Sequence, residues 1–204
     1  YKQYAGQMDG AFKDLSTAIS NAYQLENPRL IADGRSIRGA MQSYQGDYAT
    51  ALEDLITAQH LYEGLNITYW ANDNLSNLAA SYRRFGDPET AIKYQTKLEQ
   101  TYLNSGMLFE ADNVNVQIAF SLEELGRFKE SNERFYKSLK FWQSQKETNA
   151  IASTQVNIAG NLIKQGEVDK ALALLIQAEP DIPVEYDGQH SFMSLFFAKA
   201  YLAK

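Results

Sequence analysis

The chain contains no cysteine. That excludes disulfides, thiolate metal sites and cysteine nucleophiles together, and it is compatible with an oxidising compartment. Histidine is nearly as scarce: His60 and His190 are the only two in 204 residues, and neither has a partner at metal-ligand spacing. His60 falls near a helix end, where a cation complements the dipole, and reads as structural. Proline occurs four times, twice in the short segment from Pro180 to Pro183. No run approaches the ~20 consecutive apolar residues of a membrane span, and the start has no secretory hydrophobic region. A basic excess is also missing. The formal net charge is −6 and the pI near 5.0, whereas general nucleic-acid binding needs a basic field. What is present, 45% hydrophobic and 22% charged residues, suits a folded domain with a real core.

Glycine supplies the organising signal. Gly6, Gly46, Gly86, Gly126 and Gly166 stand 40 residues apart, heading the related stretches GQMDGAFKDL, GDYATALEDL, GDPETAIKYQ, GRFKESNERF and GEVDKALALL. Five residues after each glycine comes Ala11, Ala51, Ala91, Ser131 or Ala171. Four further on stand Leu15, Leu55, Gln95, Phe135 and Leu175. Upstream, Gly39, Ala79, Ala119 and Ala159 lie seven before a glycine, with Leu78, Ile118 and Ile158 preceding three of them. Offsets of three and four are helical spacing, and small residues let antiparallel helices approach closely. The recurrent glycine suits a helix terminus that needs positive φ. Asp87-Pro88 reads as an N-cap with proline at the first helical position.

The pattern predicts helices at roughly 7–24, 29–45, 48–63, 68–85, 88–104, 108–125, 128–146, 149–165, 168–179 and 189–204. Residues 180–188 form an irregular loop within the run. Because the glycines are repeat turns, none belongs to a phosphate-cradling loop. Arg84, Glu124 and Lys164 share one repeat position and predict an alternating charge ladder between repeats. Tyr62, Tyr102 and Trp142 share another and read as packing between repeats. Arg35, Arg38 and Gln42 occupy positions that other repeats give to packing residues, while Ile37, Met41 and Tyr44 form an apolar stripe. That predicts a rotated helix whose arginines reach acidic neighbours or water with their stems packed. Its rival is an anion-recognising pocket at Arg35 and Arg38, since guanidinium forks suit carboxylate or phosphate.

The order small–x–x–Tyr/Leu–x–x–x–Gly–Asp–Tyr–x–x–Ala resembles the tetratricopeptide family over nearly the whole chain, in an extended form, since that family usually repeats at about 34 residues. The resemblance implies an all-α fold: a right-handed superhelical α-solenoid of antiparallel helix pairs, about ten helices in one domain over residues 1–204. The chain opens in mid-pattern at Tyr1, so it reads as an excised or processed fragment with further repeats on both sides. In this family the first helix of each pair lines the concave groove. Asn77, Gln117 and Asn157 share one groove-facing position there, and an amide row can pair with a peptide backbone. The chaperone-tail-binding members clamp a carboxylate with cationic residues. The matching positions here are Asp33, Ser36, Asp73, Ser76, Asn113, Val116, Ser153 and Val156, so that ligand is not expected.

The function implied is a non-catalytic module binding a protein or peptide in the groove, with ligand contacts at Asn77, Gln117, Asn157, Arg35 and Arg38. No catalytic residue, cofactor, metal, nucleic acid or membrane span is expected in this region. The texture resembles the extracytoplasmic sensory region of membrane-tethered bacterial GGDEF diguanylate cyclases, which implies a periplasmic location. The alternative is the cytoplasmic tetratricopeptide domain of a peptide-responsive bacterial transcriptional regulator. The sequence leaves the oligomeric state open.

Overall fold

The computed structural model describes residues 2–182 and 187–202, with side chains for 10–182, for Ser191 and for 193–202. Among the described residues the order is α1 (Lys2–Gln24), α2 (Pro28–Gln45), α3 (Tyr48–Gly64), α4 (Thr68–Phe85), α5 (Pro88–Asn104), α6 (Leu108–Glu124), α7 (Phe128–Gln145), α8 (Thr148–Lys164), α9 (Val168–Ala178) and α10 (Asp187–Leu202). A 3-10 turn, Glu179–Asp181, follows α9. Of the expected loop 180–188, residues 183–186 lie outside the described residues. Residue 182 is extended and buried, and 187 already begins α10.

Each helix from α2 to α8 stops after 17 or 18 residues for a reason visible in its backbone. Gly46, Gly86, Gly126 and Gly166 take φ of 88°, 92°, 71° and 80°, the left-handed geometry that ends a helix. Midway between them, Glu26, Asn66, Gly106 and Lys146 do the same at 49°, 55°, 71° and 61°. One hydrogen bond recurs at every such turn. Asp47, Ile67, Asp87, Met107, Arg127, Glu147 and Glu167 donate their amides to the carbonyls of Gln42, Tyr62, Tyr82, Tyr102, Leu122, Trp142 and Leu162. The acceptors stand 20 residues apart, so the true geometric period is half of the 40 read from glycine. Gly6 is the exception to the glycine rule: it lies inside α1 rather than at a turn.

Starts are marked as well. Asn27 Oδ1 accepts from the Leu30 amide at 3.1 Å with Pro28 next in chain. Asp87 Oδ1 accepts from the Thr90 amide at 3.0 Å before Pro88, the predicted cap. Because the links are two or three residues long, successive helices run antiparallel.

The chain divides into two compact units, residues 1–98 and 99–204, with the boundary inside α5. In the first unit, Leu52, Leu55, Leu75 and Leu78 form one apolar cluster, and Ala32, Ala58, Tyr62 and Ala71 another. In the second, Phe135, Ile158, Leu175 and Met193 centre a larger one. The small residues sit where the helices touch: Ala51, Ala119, Ala159, Ala171 and Ser131 are buried without remainder. Gly39 shows why. A Cβ there would lie 2.7 Å from Leu55 Cγ and 2.9 Å from the Ala51 carbonyl oxygen.

Candidate functional site

Packing decides which face of each first helix is left over for binding. In α2 the core-facing positions are Arg35 and Arg38, equivalent to Leu75 and Leu78 one repeat later. The structure tests the expected helix rotation and corrects it. The helix keeps the common register, and both arginines point at Asp54 of α3. Arg35 Nη1 donates to Asp54 Oδ1 at 2.8 Å. Arg38 donates from Nε to Oδ2 at 2.5 Å and from Nη2 to Oδ1 at 2.9 Å. Asp54 is nearly buried, with 4% of its side chain exposed. Its hydrogen bond and charge raise the Arg38 pKa against the effect of burial. Arg35 also donates from Nε to the Tyr23 hydroxyl at 3.0 Å. The anion these guanidiniums recognise is therefore internal. Arg35 and Arg38 thus lie on the core side of α2, paired with a buried carboxylate.

With the arginines turned inward, the apolar stripe of α2 turns outward. Ile37, Ala40, Met41 and Tyr44 line one wall of a groove of about 440 Å³. Trp70, Asp73 and Asn77 of α4 line the other, with Tyr62 among the lining residues. Ile37 is 54% exposed, Trp70 42% and Tyr44 76%. Asp33 is engaged, since Arg29 Nε donates to both of its oxygens at 2.9 Å and the Tyr62 hydroxyl donates at 2.8 Å. Burial first, and then this bond to Asp33, push the Tyr62 pKa upward. Asp73 stands one repeat after Asp33, is exposed, and has no hydrogen-bond or ion-pair partner among the described residues. The flanking cations are occupied: Arg29 stacks on Trp70 and Arg84 lies 4.7 Å over the Tyr44 ring.

The second unit builds its groove, about 340 Å³, from Phe120 and Glu123 of α6 and Ser153, Val156, Asn157, Gly160 and Lys164 of α8, closed by Ile182 and Phe196. A Cβ on Gly160 would meet Phe196 Cζ at 2.6 Å, so glycine makes the notch that the ring fills. Lys164 donates to Glu123 at 3.3 Å and caps the Phe128 ring at 4.9 Å. The expected ladder is thus displaced by one residue in this unit, because Lys164 answers Glu123.

Of the amide row, Asn77 opens into the first groove and Asn157 into the second. Neither side-chain amide has a hydrogen-bond partner among the described residues. Gln117 is exposed on α6 and lines neither groove. The matching residue of α2 is Ile37. Sequence reasoning placed Asp73 at a groove position but did not single out Trp70, which lines the same groove. It placed Ile37, Met41 and Tyr44 in packing, although the inward arginines at 35 and 38 were the signal that the stripe faced elsewhere.

Buried charge elsewhere in the second unit is structural. Burial raises the Glu99 pKa, but hydrogen bonds from Lys137 at 2.6 Å and Arg134 at 2.7 Å outweigh it and hold the carboxyl below its ordinary range. Asp112 goes the other way: burial lifts its pKa despite a 2.7 Å bond from the Ser138 hydroxyl. No cluster of three potential metal ligands occurs among the described residues. None of the described helices is long and apolar enough to cross a membrane.

Helices of 17 or 18 residues, left-handed turns every 20 and small-residue contacts define a tetratricopeptide-like helical repeat fold. Solved structures share this fold. The chain is similar to BtubC (BKLC) from P. vanneervenii, at 17% identity and TM-score 0.73, covering 96% of this chain and 84% of that one. It is similar to a kinesin light chain of nearly identical TPR-like repeats from Podosopora anserina, at 14% identity and TM-score 0.76, covering 88% and 89%. NprR in complex with its cognate peptide NprX matches at 15% identity and TM-score 0.63, covering 97% of this chain and 66% of that one. No family model and no curated protein matches the chain.

Proposed function

We propose that residues 1–204 form one run of repeats that acts as a non-catalytic module binding a peptide or extended protein segment on its first-helix face. The observation that carries this is the placement of Asn77 and Asn157. They hold one repeat position, each opens into a groove, and both amides have free donor and acceptor capacity. An extended peptide presents the same two groups along its backbone, so an amide can pair with it irrespective of sequence. The apolar walls supply the contact area. In the finer reading, such binding is the input of a larger bacterial signalling protein. The similarity to NprR, solved with its cognate peptide, supports the peptide-responsive regulator as one such context. The sensory region of a periplasm-facing diguanylate cyclase is the other context, and the sequence flanking this region in the full gene product discriminates the two.

The test is selection of a displayed random-peptide library on the full chain, followed by affinity measurement on the triple variant Asn77→Ala, Gln117→Ala, Asn157→Ala. Loss of two or three hydrogen bonds weakens the selected peptides by about tenfold or more, with unchanged melting. Retained affinity would remove the amides from the site.

A further inference from the structure

We propose that the groove between α2 and α4 takes a peptide segment carrying a basic side chain next to an apolar one, with the cation at Asp73 and the apolar group on the Ile37–Tyr44 wall. This rests on the peptide-binding reading above and narrows it to one chemical class.

Three observations converge. The groove is walled by large apolar side chains that stay exposed, Ile37, Tyr44 and Trp70, and a contiguous apolar face with a polar rim marks an interaction surface. Into it project two carboxylates and no cation among the lining residues. Of the two, Asp33 is already answered by Arg29 and Tyr62, while Asp73 is not answered by any described residue. Seating a purely apolar or acidic segment here would desolvate Asp73 without a partner or set like charges together. A lysine or arginine side chain restores a charge-assisted bond, and its aliphatic stem lies along the aromatic wall. The second groove makes the contrast. Its Glu123 is paired with Lys164, so it carries no unanswered charge of this kind.

The test uses three nine-residue peptides of alternating leucine and a variable residue (lysine, serine or glutamate), labelled with fluorescein and titrated by anisotropy against the full chain at ~0.15 M salt. The lysine peptide is expected to bind about tenfold tighter than the serine peptide, the effect of one charge-assisted bond. Asp73→Asn brings the lysine peptide to the level of the serine peptide. Glu133→Gln removes the same charge from the exposed face of α7 and leaves the preference intact. Equal losses in both variants mean attraction to net negative charge alone and overturn the proposal. A preference surviving Asp73→Asn overturns the placement. Binding of all three peptides with no preference, or with preference for glutamate, overturns the basic ligand while the peptide-binding reading stands. Binding of none overturns both.

Discussion

Asp54 holds two guanidiniums between α2 and α3, and removing one member of such a cluster leaves charge without a partner. Asp54→Ala is expected to lower stability in urea by about 3 kcal/mol, the lower part of the range for broken buried pairs, because Arg35 and Arg38 keep some contact with water. Replacing the whole cluster (Arg35→Met, Arg38→Met, Asp54→Leu) is expected to stay within about 1 kcal/mol of the parent, since similar volume replaces charge and its desolvation cost together. Loss of ligand affinity in that folded triple variant would return the arginines to the site. An acidic neighbour for these arginines was legible in the sequence, but its identity was not. Position 54 becomes Tyr94, Arg134 and Leu174 in later repeats, so periodicity gave no hint that a carboxylate there meets residues 16 and 19 positions upstream. The two acids of the second unit differ in pH response. Asp112 has a folded pKa raised by burial, so the native state binds its proton more tightly and loses stability as pH rises above the ordinary carboxyl value of 3.8. Asp112→Asn, whose oxygen still accepts from Ser138, is expected to melt higher than the parent at pH 7, with the difference vanishing below 3.8. Glu99, held low, has the opposite sign: its contribution is complete above the unfolded carboxyl value of 4.5 and is lost as pH falls through the folded one.

Helices here are specified by how they end. The turns every 20 residues demand a left-handed residue, yet glycine meets that demand throughout one set, from Gly46 to Gly166, and only at Gly106 in the other. This is why the sequence yields a period of 40. The glycine set was readable because glycine is the common answer to positive φ, whereas Glu26, Asn66 and Lys146 look like ordinary polar residues. Lys146→Gly is expected to stabilise by about 0.5 kcal/mol: relief of left-handed strain of about 1–2 kcal/mol exceeds the added freedom of the unfolded chain. Thermal melting and urea midpoints read it. Gly39→Ala tests the other recurrent device, close approach. Alanine favours a helix by about 1 kcal/mol, but its Cβ would press on a backbone oxygen, and a net loss of about 1–2 kcal/mol is expected.

At the scale of the whole molecule, fold was far more legible than site. Boundaries of α2 to α8 fall within about one residue of those the spacing predicts, because repetition averages out local ambiguity. The groove was only half legible: the amide position and Asp73 follow from register, but the exposed Ile37–Tyr44 wall that faces them depends on which way α2 faces. One feature reaches beyond binding. Turns of two or three residues leave no stretch between α2 and α9 that a protease could draw out into its own active-site cleft. Between residues 28 and 166 every lysine and arginine except Arg127 and Lys146 lies within a helix, and those two sit in turns of two or three residues, so trypsin must wait for helices to open. Cleavage between residues 28 and 166 should therefore keep pace with the population of opened chains, making digestion rate a gauge of stability under conditions where spectroscopy sees only the native state.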